Sequence, residues 1–104
     1  MSKNMNQIMK QAQQMQTKIS MLQKELETRE LETSSGGGMI KIKINGKQQI
    51  LNFSINGECV DPHDISSLEE LIKTAVNQAI SESKEMVSSA MGKVTGGLNI
   101  PGLF

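Results

Sequence analysis

The stretch Ser2–Arg29, SKNMNQIMKQAQQMQTKISMLQKELETR, decides how the rest of the chain is read. Its apolar positions Met5, Ile8, Ala12, Met15, Ile19, Leu22 and Leu26 follow one another at alternating steps of three and four, a heptad seam with a at Met5 and d at Ile8. No Pro or Gly occurs before Gly36, and Gln, Met, Lys and Glu dominate, all sound helix formers. The spacing predicts a helix over 2–29, about 40 Å long. A rod of that length outruns a chain of 104 residues and needs a second long helix beside it.

Downstream, Leu31–Ser35 reads as a short strand, closed by Gly36, Gly37 and Gly38 as a hinge or tight link. Met39–Ile44 is the clearest strand: Ile40, Ile42 and Ile44 alternate with Lys41 and Lys43. Asn45-Gly46 signals a two-residue type I′ hairpin, and the return strand keeps Ile50, Leu51, Phe53 and Ile55. A small antiparallel sheet over 31–56 follows. Ser66 with Glu69 forms a capping box that opens a second helix over 66–92. Its apolar stripe runs Leu68, Leu71, Ile72, Ala75, Val76, Ala79, Ile80, Met86, Val87, Ala90, Met91 and Val94. Residues 96–104 are expected to form a flexible tail, and the whole chain a single α+β domain with two long antiparallel helices flanking the sheet. Both helices are expected to leave the sheet on one side, bringing Met1–Lys10 beside Met91–Gly97.

Charge is balanced in total, eleven basic against eleven acidic residues, but not in place. Residues 1–24 hold Lys3, Lys10, Lys18 and Lys24 and no acid; the acids cluster at Glu25, Glu27, Glu30, Glu32 and again from Glu58 to Glu70. Lys3, Lys10 and Lys24 share the outward f position of the heptad, with Lys18 beside it. A line of ammonium groups on a rod suits a polyanion, because neutralising phosphates releases their counterions. Near-absence of aromatics, only Phe53 and Phe104, removes a stacking platform for single strands and favours duplex. With Arg29 the sole arginine, bidentate base reading is limited and contact is expected mainly with the backbone.

Catalytic chemistry has no foothold. His63 stands alone in a loop, Cys59 lacks a neighbouring base, and the triple glycine lacks the Lys-Ser/Thr of a phosphate loop. The carboxylates at 58, 61 and 64 do not match a calcium loop. The reading is therefore non-enzymatic, with no cofactor, no metal and no small-molecule substrate. Lack of a signal peptide or of an apolar run long enough for a membrane span makes the expected location cytoplasmic, without membrane partners. A rival reading is a protein-interaction adaptor, in which the Met-rich first helix takes a partner helix.

The chain resembles the YbaB/EbfC family of bacterial nucleoid-associated proteins over nearly its whole length. Matching features are Met9-Lys10-Gln11-Ala12-Gln13-Gln14-Met15-Gln16, Gly36-Gly37-Gly38, Asn45-Gly46-Lys47, Leu68-Glu69-Glu70-Leu71-Ile72 with Ala75, Asn77 and Ala79, and Met91-Gly92-Lys93 through Thr95-Gly96-Gly97-Leu98 to Pro101-Gly102. The resemblance implies an α-β-β-β-α protomer, a homodimer across the sheets, and helical arms that bind duplex DNA in nucleoid organisation and gene regulation. Lys10 and Lys93 fall within the matching motifs as DNA-binding residues. Lys3, Lys18 and Lys84 join them on charge and geometry alone. Gln48, Gln49 and Asn52 depart from relatives that carry basic residues there.

Overall fold

The structure is a computed structural model that describes residues 2–96, with side chains from 4 to 94. The expected tail lies outside them, apart from Gly96, which ends the second helix. Helix α1 spans Ser2–Thr28, strands β1, β2 and β3 span Glu30–Ser35, Ile40–Asn45 and Ile50–Ile55, a 3-10 turn covers Gly57–Cys59, and helix α2 spans Ile65–Gly96. This is the α-β-β-β-α order, in an α+β fold. The strands form one antiparallel sheet in the order β1-β2-β3.

Alternation in β2 sets the core. Ile40, Ile42 and Ile44 are completely buried, facing Ala75 and Ala79 of α2 with Leu71, Ile72, Val76 and Ile80 around them. Burying each isoleucine contributes about 1.5–3 kcal/mol. Small alanines at the crossing let α2 lie close to the sheet. Lys41 and Lys43 occupy the other face, where Lys43 stands opposite Glu32 and 4.0 Å from the Glu30 carboxylate.

Three expectations need correction in detail. First, the helix opens at Ile65 and is capped by Asp64, not by Ser66: the Asp64 carboxylate accepts from the Ser67 N–H at 3.2 Å and the Ser67 hydroxyl at 2.6 Å. Secondly, the hairpin is not a two-residue turn. Asn45 and Gln49 close a three-residue loop in which the Gln48 N–H donates to the Asn45 carbonyl at 3.1 Å and Gln48 takes φ +60°. The Asn45 side chain drives this geometry by accepting from the N–H groups of Lys47 and Gln49. Gly46 serves close approach instead: a Cβ there would sit 2.0 Å from the Leu26 carbonyl oxygen.

Thirdly, α2 runs alongside α1 only in its last turns. It starts beside the β1–β2 turn, where a Cβ on Gly36 would lie 2.9 Å from Leu71, and crosses the whole sheet before Ser83 reaches Asn45. The sheet therefore has its second layer within the chain. Only the last turns of α2 remain to accompany α1, and the molecule is a rod of 76 × 23 × 16 Å.

Candidate nucleic-acid interface

The arm is fixed where three elements meet. Leu26, 2% exposed, closes α1 against the Gly46 turn, and Val87 of α2 abuts the same glycine. Ser83, completely buried one turn earlier, donates its hydroxyl to the Asn45 carbonyl at 2.6 Å and receives the Gln48 amide at 3.4 Å. Sequence reading passed over Ser83. Its signal was positional, since it continues the four-residue step of Leu71, Ala75 and Ala79 toward Val87.

From that anchor the helices run antiparallel with equal rise. Leu26 opposite Val87 carries Leu22 to the level of Met91 and Ile19 to that of Val94. Burial follows this register: Leu22, Ile19 and Met15 are half-buried, whereas Met5 and Ile8 are 65% and 64% exposed. Ser2–Lys10 thus does not lie beside the described end of α2, and Met1 and Gly97 lie outside the described residues. The expectation failed because some twenty residues of α2 are committed to the sheet, leaving about 13 Å of it to follow a 40 Å helix.

The predicted lysines do not form one cluster. Lys10 and Lys18 lie on a single solvent face of α1 with Gln13, Gln14 and Thr17. Lys93 lies in the last turn of α2, and Lys10 stands about 12 Å along α1 from Lys18. Lys3 belongs to the first turn of α1, and its side chain lies outside the described residues. Lys84 sits at the root, level with the end of α1 and flanked by Glu82 and Glu85. It is exposed but set apart from the others.

Ion pairing separates root from arm. Near the sheet, Arg29 binds Glu25, Lys43 lies by Glu30, and Lys47 is 3.7 Å from Glu27. Among the described residues, Lys10, Lys18, Lys24 and Lys93, together with Lys41 and Lys84 nearer the sheet, have no acidic partner within 4.0 Å. Among the described residues, the arm thus presents ammonium groups without an acidic partner. Among the described residues no group of His, Cys, Asp and Glu is placed to hold a metal, and no helix is long and apolar enough to cross a membrane.

Known proteins share this architecture and sequence. A crystal structure of an uncharacterized protein from Helicobacter pylori superposes with a TM-score of 0.69 at 18% identity, covering 86% of this chain and 95% of that one, which supports the fold alone. A nucleoid-associated protein of Desulforamulus reducens is 52% identical over 104 residues, covering all of this chain and 99% of its own length. One from Alkaliphilus metalliredigens is 52% identical over 101 residues, covering 97% and 89%. The model of the YbaB/EbfC DNA-binding family matches residues 1–98, and the chain belongs to that family.

Proposed function

We propose that this protein is a non-enzymatic, nucleoid-associated DNA-binding protein that grips duplex DNA as a homodimer, through lysine-phosphate contacts, in nucleoid organisation and gene regulation. The observation that carries this reading is the distribution of charge: residues 4–24 of the arm carry lysines and no acid, whereas the acids and the ion pairs of Lys43 and Lys47 lie near the sheet. Membership of a DNA-binding family and relatives named nucleoid-associated support it. Lys3, Lys10, Lys18 and Lys93 form the gripping set, and Lys84 contributes from behind.

A dimer across the sheets is supported by what α2 leaves uncovered. Strand β3 is an edge strand whose Ile50, Leu51 and Ile55 are 43, 48 and 38% exposed, next to Val60 at 44%. Pairing two copies there would bury these side chains and set the spacing of two arms.

The test is a gel-shift titration on random-sequence duplex at two salt concentrations, with Lys3, Lys10 and Lys93 changed together to Glu as control. If about six lysines of a dimer engage, log K falls against log salt with a slope near −5. Binding that is absent at low salt, or unchanged in the triple variant, overturns the reading. The adaptor alternative draws on the exposed Met5, Met9 and Met21 of α1, and it predicts partner binding that survives moderate salt.

A further inference from the structure

The outward face of α1 carries more than charge. Lys10, Gln13, Gln14, Thr17 and Lys18 are all exposed and line one shallow recess, on heptad positions b, c and f with Lys18 at g, clear of the a/d seam. Gln14 stands midway, four residues and about 40° around the helix from each lysine. Its amide has no hydrogen-bond partner among the described residues. Glutamines near the sheet differ: Gln48 donates to the Gly46 carbonyl, Gln49 accepts from the Asn45 amide, and Gln78 donates to the Ser34 carbonyl.

We infer that Gln14 reads an adenine edge in the major groove while Lys10 and Lys18 hold the two phosphate walls, with Thr17 beside it against a thymine methyl group. The inference rests on the DNA-binding reading and adds a sequence preference to it. Spacing selects the groove: the lysines are about 12 Å apart along α1, which is the width of the major groove, whereas the minor groove, about 6 Å wide, does not admit a helix. Each ammonium then meets a different strand and Gln14 hangs between them over the base edges.

Chemistry selects the base. A carboxamide both donates and accepts, which matches adenine in the major groove, where N7 accepts and the N6 amino group donates. Thr17 gives its hydroxyl proton to the Gln13 carbonyl at 2.9 Å, so its methyl group is what it offers a base. The lysines alone distinguish no sequence, because phosphates carry none of that information. Arginine does not take the role either, since Arg29 lies at the root and is bound to Glu25.

The test selects sites from a randomised duplex library with the full chain, then measures gel shifts on the enriched site and on random-sequence duplex. Wild type is expected to enrich adenine at a fixed position of the selected site. Gln14→Ala should lose that enrichment, and with it about 5- to 150-fold of discrimination against guanine there, while binding random duplex with the wild-type affinity and salt slope. Its helical circular dichroism should be unchanged, because the position is exposed and Ala is the best helix former. Placing 7-deazaadenine, which lacks the N7 acceptor, at the enriched position should weaken wild type and leave Gln14→Ala unaffected. Lys10→Gln with Lys18→Gln should instead weaken binding to every sequence and flatten the salt slope. Wild type that grips random duplex yet enriches no adenine overturns the inference and leaves the DNA-binding reading standing. So does an adenine preference that survives Gln14→Ala, or indifference of wild type to 7-deazaadenine. Absence of any binding to random duplex at low salt overturns both.

Discussion

Replacing Gly46 by alanine tests how the arm is attached. The residue lies outside the left-handed region, so alanine suits its backbone; the obstacle is the Leu26 carbonyl, 2.0 Å from the new Cβ by oxygen and 2.7 Å by carbon, with Val87 at 3.3 Å. A side chain could rotate away, but this carbonyl belongs to the last turn of α1 and also accepts from the Arg29 N–H at 3.2 Å. Relief requires about 1 Å of movement between the helix end and the hairpin. Overpacking of this kind costs about 1–3 kcal/mol, and a backbone obstacle belongs at the upper end, near 3 kcal/mol. For a chain of this size that is roughly 12–24 °C in the thermal midpoint. The assay is thermal unfolding by circular dichroism at fixed protein concentration, with Gly57→Ala as control because nothing lies within 4 Å of its Cβ. A midpoint for Gly46→Ala within about 3 °C of wild type refutes the view that close approach selects this glycine.

Removing the Ser83 hydroxyl with Ser83→Ala takes a donor from the Asn45 carbonyl, which keeps the Gln48 N–H; urea unfolding should show a loss of about 1–2 kcal/mol with an unchanged slope, and none if the bond is dispensable. At the start of α2, the Ser67 hydroxyl and then its N–H hold the Asp64 carboxyl below its ordinary value. Its contribution is therefore complete above the ordinary aspartate range and is lost as pH falls through the lowered value. The midpoint difference between wild type and Asp64→Ala should shrink on acidification, and a difference that grows in acid refutes the assignment.

Periodicity made both helices and the central strand legible, because the heptad from Met5 to Leu26 and the alternation Ile40–Ile44 each state a face and a period. What periodicity does not state is which partner a face meets. The stripe of α2 looks uniform in sequence, yet Ala75 and Ala79 lie on the sheet while Val87 abuts the end of α1. The difference comes from tertiary path and moved the arm lysines out of one cluster. Gly46 was legible as a turn residue and misread in kind, since a steric demand from Leu26, twenty residues upstream, leaves no local trace. Lys10 and Lys18 share one outward face of α1, a placement that needs only the helical repeat.

The separation of Lys10 from the first acid of its helix has an electrostatic consequence. Glu25 lies fifteen residues downstream in sequence, about 22 Å along the axis. At physiological ionic strength the field of a charge decays over a Debye length of about 8 Å. A phosphate at Lys10 therefore sits nearly three screening lengths from the carboxylates at the root and is almost blind to them. The balanced formal charge of the whole chain governs its solubility, whereas what a polyanion encounters is the local charge of the arm.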